Sequence, residues 1–221
     1  MQIVDLSHSL KPGMQTYPGD PTFTSSCVAS IENDGYAVRA LALGSHTGTH
    51  VDAPSHFIPG GSTIVQIPLT TFIGRALVSD VSHKAPREAI TWADLAQHVP
   101  QMGAGTILLL CTGWARYWGT DRYLEHPFLE RAAAERIMAT GVRVVGIDAL
   151  SPDETRLDGT GTFGAHEVIL GAGGVIAENL VNLEALLDGA AADSNYLVHL
   201  VPLKIDGSDG SPVRAFASKS N

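Results

Sequence analysis

Between Ser45 and Phe57 the chain reads Ser-His-Thr-Gly-Thr-His-Val-Asp-Ala-Pro-Ser-His-Phe, which places His46, His50, Asp52 and His56 within eleven residues. Two histidines four apart would share a helix face, but the β-branched Thr47, Thr49 and Val51, together with Gly48 and Pro54, oppose a helix. In an extended segment, alternate positions point the same way, so His46, His50 and Asp52 share a side with the side-chain-free Gly48 between them. An unbroken strand would hold the two imidazoles roughly 13 Å apart, too far to meet at one ion through bonds of about 2 Å. The spacing therefore predicts a kink or bulge at Gly48. Two imidazoles and a carboxylate gathered in this way suit a divalent ion such as zinc or manganese, with coordination positions left for water. A single histidine here would ordinarily be a surface or core residue, but burying this many polar groups without an ion would be costly.

The other chemically capable residues are scattered. Glu178 interrupts the apolar stretch Gly174-Val-Ile-Ala-Glu-Asn-Leu180, and His166 stands near the start of Ala165-His-Glu-Val-Ile-Leu170, beside a Glu167 that reads as solvent-facing. Tyr17, Phe57 and Trp114 could stack on a planar substrate or pack in the core. His8, His83, His98, His126 and His199 lack clustered partners, and Asp80 and Asp148 end predicted strands, where aspartates commonly make turns. Cys27 and Cys111 are too few for a disulfide framework and lack metal-type spacing, so both read as packing residues.

These side chains need a scaffold, and 221 residues suit one medium domain spanning 1–221, with no linker, repeat or low-complexity tract to divide it. At 44% hydrophobic and 17% charged, the composition excludes disorder and coiled coil. The net charge of -9, from 23 acidic residues against 14 Lys+Arg with no basic cluster, argues against nucleic acid or an anionic membrane as partner. No apolar run approaches the length of a membrane span, and Met1-Gln-Ile-Val-Asp5 has no basic or apolar leader character, so a soluble, cytoplasmic protein is expected.

A mixed α/β fold is predicted, with a strand-rich first half. Strands are expected over 2–6, 36–43 and 75–81, with a Pro-rich loop at 17–21 between the first two. In the second half, Thr106 to Cys111 is apolar on both faces and reads as a buried strand. The pattern then predicts a helix over 127–140, with Pro127 at its first position and Gly141 as its stop, and a second buried strand over 142–147. That order implies a parallel crossover. A short helix over 182–187 and a closing strand over 196–205 complete the expectation.

The run His46-Thr-Gly-Thr-His50-Val-Asp52-Ala-Pro54-Ser-His56-Phe57 resembles the signature His-x-Gly-Thr-His-x-Asp-x-Pro-x-His of the cyclase family of metal-dependent hydrolases. The likeness continues through Asp5-Leu6-Ser7, Tyr17-Pro18-Gly19-Asp20, Thr112-Gly113-Trp114, Gly146-Ile147-Asp148, Glu178-Asn179-Leu180 and Gly210-Ser211-Pro212-Val213-Arg214-Ala215. The resemblance implies a swivelling β/β/α fold and a homo-oligomer, dimer or tetramer, in which residues 17–21 contribute to a neighbouring pocket. It implies one or two zinc or manganese ions, the first held by His46, His50 and Asp52 and the second by Asp52, His166 and Glu178. It makes His56 the acid/base residue, a role for which an imidazole is suited. The implied reaction is hydrolysis of an amide C–N bond in a small molecule, of the arylformamidase (kynurenine formamidase) type. Thr49 and Val51 stand where such formamidases tend to carry Ala, and Phe57 where they carry Tyr, so isatin-like cyclic amides and polyketide-type ring closure stay open. A binding protein without catalysis would lack an acid/base group, and His56 is present.

Overall fold

The computed structural model describes residues 1–187 and 196–219. In chain order the strands are β1 (Gln2–Asp5), β2 (Thr24–Ala29), β3 (Val38–Ala42), β4 (His50–Asp52), β5 (Ile73–Asp80), β6 (Ala89–Ile90), β7 (Thr106–Cys111), β8 (Phe128–Leu129), β9 (Val144–Ile147), β10 (Val175–Glu178), β11 (Tyr196–His199), β12 (Gly210–Pro212) and β13 (Phe216–Lys219). The helices are α1 (Ile31–Asp34), α2 (Trp92–Leu95), α3 (Arg131–Ala139) and α4 (Gly164–Gly171).

Nine strands form one sheet in the order β1-β13-β11-β5-β7-β9-β10-β4-β12. Its centre, β5-β7-β9-β10, is parallel, and both flanks are antiparallel. The parallel centre has the expected crossover, from β7 through α3 to β9. Alternate residues of β7 feed different cores: Leu108 and Leu110 pack with Ile137 and Met138 of α3 and Ile169 and Leu170 of α4. Ile107 and Leu109 face the other side, where they meet Val51 of β4 and Ala217 of β13. Those two strands lie near opposite ends of the strand order, so the sheet curls to bring them into one core. β4 sits between β10 and β12, which places the histidine-rich segment inside the sheet rather than at its edge.

Several local expectations need correction. The predicted helix over 127–140 begins at Arg131, because Phe128 and Leu129 pair with Ala89 and Ile90 instead. Its stop is as expected, with Gly141 at φ 97°. The closing strand ends at His199 rather than 205; the Leu200 N–H makes a last bond to the Phe72 carbonyl, and Pro202, which lacks an N–H, follows. The predicted helix over 182–187 is a single 3₁₀ turn, Leu183–Leu186. β2 and α4 are elements that the hydrophobic pattern does not announce. Cys111 is buried as a packing residue, but Cys27 is exposed.

Candidate metal centre

The chain enters the site through a turn, not a strand. Gly48 has φ 66°, the left-handed region that glycine tolerates, and β4 begins only at His50. The kink has a partner on each side. The Asn179 side-chain amide donates to the Gly48 carbonyl at 3.1 Å, and the Thr49 hydroxyl donates to the Asn179 carbonyl at 2.6 Å. Folding back at Gly48 brings the His46 and His50 rings to 5.0 Å between centroids, edge to face.

From β4, His50 and Asp52 project to one side, while Val51 points into the core opposite. Glu178, the last residue of β10, is the register partner of His50. His166 comes from the first turn of α4, and Asp153 fixes it there. One Asp153 oxygen accepts the Ala165 N–H at 2.7 Å, and the other accepts the His166 backbone N–H at 3.0 Å and its Nδ1–H at 2.6 Å.

Five side chains thus converge. His50 Nε2 lies 3.2 Å from Asp52 Oδ1 and 3.4 Å from Glu178 Oε2. His166 Nε2 lies 3.6 Å from Asp52 Oδ2 and 3.5 Å from Glu178 Oε1. His46 Nδ1 is 2.7 Å from Asp52 Oδ1. Donors about 2.1 Å from a common tetrahedral ion stand about 3.4 Å from one another. The four pairs of His50 or His166 with Asp52 or Glu178 have that spacing, whereas His46 and Asp52 are at hydrogen-bond distance. Asp52 belongs to two donor groups at once, His46/His50/Asp52 and Asp52/His166/Glu178.

The electrostatics favour a cation. His50 Nε2, Asp52 Oδ2 and Glu178 Oε1 are buried without a hydrogen-bond partner, which is unusual for polar atoms unless something else satisfies them. Burial works against charge on His50 and His166, yet the carboxylates beside them prevail. His50 is held well above its ordinary pKa by Asp52 and Glu178, and His166 is raised to about 10 by Asp153 and Asp52. Asp52 is driven well below the usual carboxylate range against the opposing effect of burial, by His50 above all. Burial and the neighbouring Asp52 charge push Glu178 up. The carboxylates thus favour positive charge in the pocket, which a divalent ion would supply from one centre. The His50 Nδ1–H donates to the Gly48 carbonyl at 2.8 Å, which leaves Nε2 as the available donor to a metal.

His56 lies beyond β4, in the turn Pro54–His56, with its ring 4.0 Å from that of His46. Burial lowers its pKa. Above these groups is a cavity of about 190 Å³ walled by Tyr17, Phe57, Leu150 and Phe163, with the histidines and Glu178 at its base. Phe57 stacks on His166 at 4.6 Å and tilts against Phe163 at 5.2 Å.

The sequence-based residues fall into three groups. His46, His50, Asp52, His166 and Glu178 are together, and His56, Tyr17 and Phe57 line the same cavity. Trp114 does not: it is 2% exposed in the core, with its indole N–H bonded to the Arg122 carbonyl at 3.2 Å, so it has no face to offer a substrate. Asp148 is turned away, accepting bonds from Thr112 and Gly113, and Glu167 is exposed beside Arg131. Asp153, Asp209, Asn179 and Phe163 are participants the sequence reading missed. Asp209 bonds both His46 and His56, and the one available signal was its position directly before the Gly210–Ala215 motif.

A family model described as "Putative cyclase" matches residues 4–154. A kynurenine formamidase of Maricaulis maris is 32% identical over 215 residues, covering 96% of this chain and 95% of that protein. One of Salinibacter ruber is 32% identical over 219 residues, covering 97% and 96%. Among solved structures, isatin hydrolase A from Labrenzia aggregata bound to benzyl benzoate superposes with a TM-score of 0.86 at 25% identity, covering 100% of this chain and 94% of that one. A potential metal-dependent hydrolase with cyclase activity gives 0.75 at 28% identity, covering 98% and 96%.

Proposed function

The chain belongs to the putative cyclase family, and from that premise we propose that it is a metal-dependent hydrolase of a non-peptide amide C–N bond, an arylformamidase of the kynurenine formamidase type. The observation that carries this reading is the convergence of buried, unpartnered His50 Nε2, Asp52 Oδ2 and Glu178 Oε1 beneath an aromatic-walled cavity.

His46, His50 and Asp52 would hold one ion, and Asp52, His166 and Glu178 a second. The mixed nitrogen and oxygen donor set suits zinc or manganese. When bound, such an ion acts as a Lewis acid that makes water more acidic and polarises the carbonyl under attack. His56 takes a proton from the attacking water and returns one to the leaving nitrogen, so that the C–N bond breaks to a carboxylate and an amine. Phe57, Phe163 and Tyr17 flank an aromatic ring and keep bulk water from the reacting carbon.

A second reading, hydrolysis of an isatin-like cyclic amide, is favoured by the end-to-end likeness to isatin hydrolase A. The same residues would serve it, because ring opening breaks the same kind of bond. Elemental analysis of protein purified without added metal, followed by assays on N-formylkynurenine and isatin with zinc and with manganese, tests both. Protein that binds neither ion, or that turns over neither substrate when loaded, would overturn the reading.

The chain acts as one domain, 1–221, in a homo-oligomer, dimer or tetramer. Support comes from the hairpin of β2 and β3 with its connecting turn, which leaves Val28, Ile31, Tyr36, Val38 and Leu41 exposed. No helix among the described residues is long and apolar enough to cross a membrane. A cytoplasmic setting fits two cysteines that are both free thiols.

A further inference from the structure

Each imidazole assigned to metal has its other ring nitrogen held by a different acceptor. His50 uses the Gly48 carbonyl and His166 uses Asp153, both serving one ring only. His46 uses Asp209, whose Oδ2 lies 3.1 Å from His46 Nε2 and also 3.2 Å from His56 Nδ1. One carboxylate oxygen therefore faces two rings whose centroids are 4.0 Å apart, tilted 33° to each other. Asp209 precedes β12, the strand that pairs with β4, and its own carbonyl accepts the Ala53 N–H at 2.8 Å. The backbone thereby fixes the carboxylate relative to both histidines.

We propose that Asp209 is a positioning residue shared between metal binding and proton transfer: it accepts Nε2–H from His46 and Nδ1–H from His56, and so selects the tautomer of both rings. This inference rests on the metal-dependent hydrolase reading. With Asp209 accepting the Nε2–H, the ring nitrogen left to exchange its proton for an ion is His46 Nδ1, which faces Asp52 Oδ1 at 2.7 Å. The same oxygen accepting the Nδ1–H leaves His56 Nε2 with a free lone pair for the proton of the attacking water. His46, His56 and Asp209 also form a donor group by distance alone. Asp209 is half-exposed with both rings within hydrogen-bond distance, whereas three buried unpartnered atoms among the described residues lie in the inner groups.

The test begins with the metal-free wild-type chain. At mildly alkaline pH, two-bond nitrogen–proton NMR spectra of the His56 ring should show the Nδ1–H tautomer, and Asp209→Ala should lose that preference. With zinc or manganese as the probe, Asp209→Ala and Asp209→Asn should weaken metal binding about 10- to 100-fold. At saturating metal both variants should lose at least about tenfold in kcat with KM changed less than about twofold, and Asp209→Glu should recover part of the loss. A purely structural role would lower thermal stability and leave the tautomer and kcat per bound metal as in the wild type. An Nε2–H tautomer of His56 in the wild-type chain would overturn the proposal, as would variants that match the wild type in metal affinity and kcat. A wild-type chain that binds no divalent metal would count against the hydrolase reading instead, while the tautomer still judges Asp209.

Discussion

His50 and Glu178 face each other as register partners across the β4–β10 ladder, with His50 Nε2 3.4 Å from Glu178 Oε2. The pairing joins the two donor groups through backbone hydrogen bonds rather than through loop placement. A site built on regular elements in this way is held more tightly than one carried by loops. Asp52, two residues along the same strand, then reaches both groups from one backbone position.

Asp52→Ala should therefore empty both groups together. Loss of a residue that only orients a metal ligand weakens affinity or activity about 10- to 100-fold, so loss of this shared carboxylate should exceed that range. Metal content by elemental analysis and turnover are expected to fall in parallel. A variant that keeps full metal content would refute the bridging role.

His56→Ala should separate what Asp52→Ala loses together. Metal content should stay at the wild-type level while kcat falls about a hundredfold to ten-thousandfold, the range for removing a general acid/base. Metal loss in this variant would move His56 into the coordination group.

Much of the centre was legible because its chemistry is dense. Three histidines and an aspartate in one short run have few readings, and bond length against strand rise demanded the bend that Gly48 supplies. Asp153 and Asp209 were not legible. Each is a single carboxylate on a loop, where aspartate is common for turn-making reasons, and Asp209 acts on a ring 163 residues away. Trp114 misled because an aromatic residue beside a glycine reads the same in sequence whether it lines a pocket or fills a core. The helix start was misplaced because Phe128 and Leu129, apolar at helical spacing, serve a two-residue ladder with Ala89 and Ile90. β2 gave no periodic signal because five of its six residues, in the run TSSCVA, are not fully buried.

Away from the centre, His126 makes acid stability testable. Burial lowers its pKa to about 4, against the weaker upward pull of the Pro127 carbonyl, while the unfolded chain should titrate near the ordinary 6.5. The unfolded state therefore binds the extra proton first. Stability is whole above pH 6.5, falls as pH drops towards about 4, and levels off below that. At about 1.4 kcal/mol per unit, the effect totals about 3 kcal/mol. Urea unfolding of wild type and His126→Asn at neutral pH and at pH 4 isolates it, because other titrating groups cancel in the difference. Parallel pH profiles would show that His126 does not carry the effect.

Gly48→Ala tests the bend itself. A Cβ there would run into the Leu10 side chain and come within 3.2 Å of Met14 Cε, on a backbone at φ 66° that side chains rarely adopt. Such strain costs about 1–3 kcal/mol. Because the Gly48 carbonyl also orients His50, metal affinity should fall along with thermal stability. A variant with lowered stability but unchanged affinity would show that the bend and the ligand are independent.

The place of β4 between β10 and β12 constrains when, as well as where, the two donor groups can be brought together. While the polypeptide is still emerging from the ribosome, its histidine-rich segment is made early but has no neighbour on either side until residues 175–178 and then 210–212 have been synthesised. On the metal-dependent reading, a product truncated before β10 would keep His46, His50 and Asp52 but lack Glu178, and so could not complete the second donor group.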